Sequence, residues 1–128
     1  MHGGPERAEY EDQRHHGFNK SMQKLYPDAE DDVVPELQSF MADWRQGLSA
    51  KELKQKWDYK PIKGNEARKW KVKQIRILRR KYRVELTPVD IGTPCVWFLE
   101  VFKKESTNRV EIRRAIERSK EIWEEQQK

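Results

Sequence analysis

A chain of 128 residues with 38% charged side chains, a net charge of +5 and a mean hydropathy of −1.12 has room for one modest core. No apolar run nears the roughly 18 residues a membrane span needs, and no signal peptide is visible, so the chain reads as cytoplasmic with no membrane partner. Its single cysteine, Cys95, excludes an intrachain disulfide and a cysteine-based zinc site.

Residues 1–17 are polar and without a period. They are predicted as a disordered or weakly ordered tail, at most a weak edge strand, and a single domain is expected over residues 18–128. His15-His16 has no third ligand at helical or hairpin spacing, so it reads as solvated, and no metal or cofactor is called for. Phe18, Met22 and Leu25 recur at helical spacing until Pro27. Asp28 to about Gln46 forms a second helix, striped by Val33/Val34, Leu37, Phe40/Met41 and Trp44, with Gly47 as its C-cap. Pro35 belongs to a first turn, which moves the start toward Asp32. Ser49-Ala50-Lys51-Glu52 fits a capping box for a third helix ending near Trp57.

A sheet follows. Its first strand is predicted over Lys69–Ile77, with a bulge near Gln74 or an end there, because the period slips between Val72 and Ile75. Arg79-Arg80-Lys81 is the hairpin turn, Tyr82–Pro88 returns, and Asp90–Pro94 is a second turn. Cys95–Phe102 is apolar at nearly every position and reads as the interior strand, with Cys95 as a buried small hydrophobe. Asn108 and Glu111 offer N-cap and N3 of a last helix, striped by Ile112, Ala115/Ile116, Ser119 and Ile122/Trp123.

Charge is distributed unevenly over these elements. Residues 1–60 hold nine Lys/Arg and twelve Asp/Glu, whereas residues 61–128 hold eighteen and ten. From Lys60 to Arg83 there are eleven cations and one acid, Glu66. Period-two spacing sends Trp70, Val72, Tyr82, Val84 and Leu86 toward a core and Lys69, Lys71, Lys73 and Arg83 to the other face. So much positive charge on one sheet face repels itself unless a polyanion meets it. Lys60, Lys63, Lys69, Arg76, Arg79, Arg80 and Lys103 are the candidate RNA-binding residues. No Ser-His-Asp, phosphate-loop or paired-carboxylate arrangement has usable spacing. A cation cluster can bind phosphate passively, or it can promote RNA cleavage by the 2′-hydroxyl through positioning, charge neutralisation and proton transfer. A lysine among other cations has a lowered pKa and can act as base, while arginine stays charged and suits a bidentate grip.

Lys60-Pro-Ile-Lys-Gly64, Trp70-Lys-Val-Lys73, Tyr82-Arg-Val84 and an apolar strand running into Phe102-Lys-Lys104 before an amphipathic helix resemble the RelE/HigB superfamily of toxin-type, ribosome-dependent mRNA endonucleases. The likeness is to its HigB-like, phage-derived branch and spans about Phe18 to Trp123. It implies an α+β, RelE-like fold, with N-terminal helices and a C-terminal helix packed on a three- or four-stranded antiparallel sheet. It also implies mRNA and ribosome as partners, and inhibition by a cognate antitoxin, a helix-turn-helix protein. The family's sheet lysines would fall on Lys71 and Lys73, as base or charge stabiliser. Its phosphate-gripping arginine would be Arg83, and the cation after the interior strand Lys103 or Lys104, with Lys104 stabilising charge or protonating the leaving oxygen. The chain departs from the pattern at Glu85-Leu86-Thr87, where relatives often carry an aromatic. A non-catalytic nucleic-acid-binding or regulatory relative, or a gyrase-directed one, are the other readings of the same resemblance.

Overall fold

The strand marked out by alternation, β4 (Tyr82–Val89), and the one marked out by its apolar run, β5 (Cys95–Lys103), lie side by side inside a five-stranded sheet in the computed structural model, which describes residues 6–127. The sheet is completed by β1 (Glu11–Arg14), β2 (Lys60–Pro61) and β3 (Lys73–Ile77), in the order β1-β5-β4-β3-β2. β2, β3, β4 and β5 pair antiparallel, whereas β1 runs parallel to β5, from Glu11 opposite Cys95 to Arg14 opposite Phe98. The α+β class expected from sequence is therefore present, but the sheet is mixed and has five strands rather than three or four antiparallel ones. Five helices accompany it: α1 (Phe18–Gln23), α2 (Ala29–Arg45), α3 (Ala50–Trp57), α4 (Asn65–Lys69) and α5 (Arg109–Gln126).

Both faces of the sheet are covered, and the strand registers decide which residue goes where. Ile75 opposes Val84, and Val84 opposes Val101; these side chains join Leu86, Val96 and Phe98 on one face. There they meet Phe18 and Met22 of α1, Val33, Leu37, Phe40, Met41 and Trp44 of α2, and Leu53 and Trp57 of α3. The opposite face gathers Val72, Val89 and Leu99 under Ala115, Ile122 and Trp123 of α5, with Ala67 of α4. A β-bulge joins the two patterns. Glu85 opposes Glu100 but Leu86 opposes Phe98, so Leu99 is the extra residue and turns into the α5 cluster.

Local chemistry explains most of these elements. Ser49 Oγ accepts the Glu52 amide at 3.1 Å, and Glu52 Oε1 accepts the Ser49 amide at 2.8 Å, so the capping box opens α3. α2 ends on Gly47 at φ +83°, with Gly47 N–H donating to the Trp44 carbonyl and Leu48 N–H to that of Asp43. The predicted start near Asp32 gives way to Ala29. Pro35 sits inside the helix, where the carbonyl it leaves without a donor, on Asp31, is at an exposed position that water can reach. Asn108 is the N-cap residue of α5 but caps nothing; its Oδ1 accepts the Glu105 amide and its Nδ2 donates to the Lys103 carbonyl, closing the β5–α5 loop. Within the predicted tail, Glu11–Arg14 is an edge strand and His15 is buried rather than solvated. Its Nδ1 accepts the Gly17 amide at 3.0 Å, and its Nε2 lies 3.3 Å from Glu121. Residues 1–5 of that tail, and Lys128, lie outside the described residues. Among the described residues no helix is long and apolar enough to cross a membrane.

The largest departure is at the predicted strand Lys69–Ile77, which starts only at Lys73. Lys69 ends α4, and Lys71 takes φ +55° immediately after it. Lys71 N–H donates to the Arg68 carbonyl at 3.2 Å and Val72 N–H to that of Ala67 at 2.9 Å, a Schellman closure with Lys71 where glycine is usual. Its accompanying hydrophobic contact is Val72 with Ala67, both in the α5-side cluster. The Trp-Lys-Val-Lys alternation is therefore a helix end, not a strand.

Candidate nucleic-acid interface

Register sorts the basic stretch into two groups at opposite ends of the sheet. Lys71 and Lys73 stand where β3 begins, next to Leu86 and Thr87 of β4. The Lys71 ammonium lies 4.7 Å from the centre of the Trp123 ring, and the Lys71 carbonyl accepts Thr87 Oγ1–H at 3.0 Å. Lys73 alternates with Ile75 and Ile77, so its parity is that of the α1–α3 face. Burial lowers its pKa, and the Lys71 ammonium lowers it further.

The other group surrounds the β3–β4 turn. Arg76 and Arg83 are direct cross-strand partners on the α5 face, Tyr82 opposes Lys103, and Lys104 N–H donates to the Lys81 carbonyl at 3.0 Å. Arg79, Arg80, Lys81, Lys103 and Lys104 are exposed, with the Lys104 ammonium donating to the Glu105 carbonyl. Lys73 lies three positions from Arg76, about 10 Å at strand rise, and on the opposite parity. The four candidate catalytic cations, Lys71, Lys73, Arg83 and Lys104, are thus divided between two ends of the sheet, and the expectation that Lys69, Lys71, Lys73 and Arg83 share one face is corrected. Of the predicted core partners, Val84 and Leu86 lie on the α1–α3 face and Val72 on the α5 face, while Trp70 and Tyr82 are half-buried.

Two like charges facing each other across a ladder repel, and the surroundings of Arg76 and Arg83 answer this. Asp58 Oδ2 stands 2.6 Å from Arg76 Nε and 3.4 Å from Lys60 Nζ. Asp58 ends α3 in the left-handed region, at φ +53°, which turns the chain toward β2 and brings its carboxylate there. Arg83 is only 6% exposed and donates from Nη1 to the Arg80 carbonyl at 2.6 Å. Burial and then the Arg76 charge lower its pKa, without neutralising it. Its cross-strand neighbours are Arg76 and Phe102. Among the remaining candidates, Lys63 is exposed in the loop after β2, and the Lys69 ammonium lies 5.2 Å from the Trp70 ring centre.

A paired-carboxylate arrangement, not expected from sequence, lies beneath these cations. Glu85 and Glu100 oppose each other across β4 and β5, and both are fully buried. Glu100 is paired: Oε2 accepts from Arg114 Nη1 at 2.7 Å, and Oε1 accepts from Arg118 Nη1 at 3.4 Å and its own neighbour's amide, on Val101, at 3.1 Å. Glu85 has no hydrogen bond of ordinary geometry to either oxygen, although the Gln74 amide faces it across the ladder. Desolvation pushes its pKa up to about 8, Glu100 adds to the rise, and Gln74, Arg83 and Lys60 oppose it. Its position in a Val-Glu-Leu-Thr alternation reads as a solvated face; only the covering by α5 reveals it as interior.

Cys95 is buried and its thiol is pushed up to about 12, chiefly by burial. No group of three or more metal-ligating side chains gathers among the described residues. Comparison with family models, with curated proteins and with solved structures returned no match, so the reading of this surface rests on its own geometry.

Proposed function

We propose that the chain is a toxin-like, ribosome-dependent mRNA endonuclease with a RelE-like fold, which grips RNA at the β3–β4 end of its sheet and is restrained by a cognate helix-turn-helix antitoxin. The observation that supports this reading is the collection of Arg79, Arg80, Lys81, Lys103 and Lys104 as exposed cations at one end of an antiparallel meander, backed by Arg76 and Arg83. Phosphate contacts of this kind supply most non-specific affinity for nucleic acid and make it fall with salt. A second reading, a non-catalytic RNA-binding or regulatory relative, is favoured by the division of the four catalytic candidates between two ends of the sheet.

Primer extension on cellular mRNA after induction separates the two. Cleavage within translated codons by the wild type, weakened at least tenfold in the Arg79→Gln/Arg80→Gln double variant, is the expected result. Intact transcripts together with RNA binding would favour the non-catalytic relative. Absence of both cleavage and binding to RNA or ribosomes would remove the nucleic-acid reading.

A further inference from the structure

We infer that Arg83 is a positioning residue, which holds the β3–β4 turn in shape so that Arg79, Arg80 and Lys81 grip successive RNA phosphates. The inference rests on the RNA-directed reading above. Leu78, Arg79 and Arg80 take φ values of +52°, +58° and +65°, three consecutive non-glycine residues in the left-handed region. Each is strained relative to the right-handed form, and glycine would remove most of that strain. The conformation persists because hydrogen bonds hold Leu78, Arg80 and Lys81 on either side of Arg79. The Leu78 amide donates to Glu36 Oε1 at 2.9 Å, which docks the turn on α2. Lys81 N–H donates to the Leu78 carbonyl at 3.2 Å, and Lys104 N–H to the Lys81 carbonyl at 3.0 Å. Arg83 Nη1 donates to the Arg80 carbonyl at 2.6 Å, and the residue is almost wholly buried. A guanidinium in that position cannot reach a phosphate without abandoning the turn and its shielded site. By contrast, the side chains of Arg79, Arg80 and Lys81 are exposed and make no hydrogen bond or ion pair among the described residues. The strained loop therefore presents three free cations on a fixed backbone, as a preorganised polyanion grip requires.

Salt dependence distinguishes a residue that touches phosphate from one that acts through the backbone. Anisotropy of a labelled single-stranded RNA oligonucleotide would be measured across a salt series with the full chain. Arg79→Gln and Arg80→Gln should each reduce the slope of log Kobs against log[salt] by about 0.7, one single-strand phosphate contact. Arg83→Gln should weaken binding about fivefold, the worth of roughly one hydrogen bond, with the slope unchanged. A slope that falls with Arg83→Gln as much as with Arg80→Gln would overturn the inference while leaving RNA binding intact. No binding by the wild type would instead remove the functional reading beneath it. Should Arg83→Gln fail to fold, arginine Nε resonances of the wild type serve: titration with the oligonucleotide should shift those of Arg79 and Arg80 and leave that of Arg83 in place. A shift at Arg83 as large as theirs would overturn it.

Discussion

Burial withdraws both oxygens of Glu85 from solvent, and no donor of ordinary geometry replaces the lost water. A carboxylate so placed takes up a proton, which is why its pKa rises to about 8 from an ordinary value of 4.5. Protons are then bound more tightly in the folded chain than in the unfolded one. The stabilising contribution is complete below about pH 4.5, the unfolded pKa, and is lost as pH rises through the folded value near 8. While the unfolded chain is ionised and the folded one is not, the loss approaches about 1.4 kcal/mol per pH unit. Glu85→Gln, which cannot ionise, should therefore lose less stability than the wild type between pH 5 and 8. Urea unfolding of both proteins across that range measures the difference. Parallel pH profiles would show that Glu85 is ionised in the fold and finds a partner there. Arg83 makes no ion pair with Glu85; its guanidinium donates to the Arg80 carbonyl instead.

At the scale of elements, Lys71 shows how one residue can carry two incompatible readings. As a strand lysine it was a candidate base; as the residue closing α4 it takes a left-handed conformation that glycine adopts at no cost. Lys71→Gly should relieve roughly 1 kcal/mol of backbone strain and forfeit a cation–π contact worth about 0.5–1 kcal/mol. The two effects nearly cancel, so its stability should stay within about 1 kcal/mol of the wild type in urea unfolding. A loss above about 2 kcal/mol would show that the lysine, not the Schellman closure, orders this turn. With its stability preserved, the variant would test the proposed role of Lys71 separately from folding. The sequence made α2, α3 and α5 legible through their stripes, and α3's start through Ser49 and Glu52, because helical burial and capping are local. It hid α4, since Lys71 stands where a glycine would have signalled the end. β1 was indistinct because Glu11–Arg14 joins the sheet by backbone bonds alone, with no apolar alternation to mark it. For the site, the cations themselves were plain in the sequence, but their division between two ends was not. Alternation implies one buried and one solvated face, whereas α5 covers the second face and Arg114 and Arg118 neutralise Glu100 there.

The whole molecule is one sheet shared by two apolar clusters, and this fixes how it should unfold. Val84 of β4 and Val101 of β5 serve the helical layer of α1, α2 and α3, while Val89 and Leu99, on the same two strands, serve α5. Separating α5 would uncover Val72, Val89 and Leu99 and leave the buried Glu100 without Arg114 and Arg118. Re-exposing apolar side chains of that size costs about 1.5–3 kcal/mol each, together comparable with much of a small domain's stability. The α5 layer should therefore not melt ahead of the rest. The tryptophans give each side a reporter: Trp44 and Trp57 in the first cluster, Trp123 in the second, where its Nε1 donates to Thr87 Oγ1 at 2.9 Å. Trp70 and Trp97 also pack on the α5 side, so a variant in which Trp44 and Trp57 are phenylalanine leaves only that side observable, and one in which Trp70, Trp97 and Trp123 are phenylalanine leaves only the other. Within each variant, tryptophan fluorescence and far-ultraviolet circular dichroism should give coincident urea transitions, the mark of two-state unfolding. Trp123→Ala should lower the midpoint of that single transition by an amount equivalent to about 3–5 kcal/mol, the usual cost of deleting a buried indole. If fluorescence from the α5 side of the Trp44→Phe/Trp57→Phe protein falls at lower urea than its circular dichroism, the two clusters are independent. The buried Glu100 network would then not couple them.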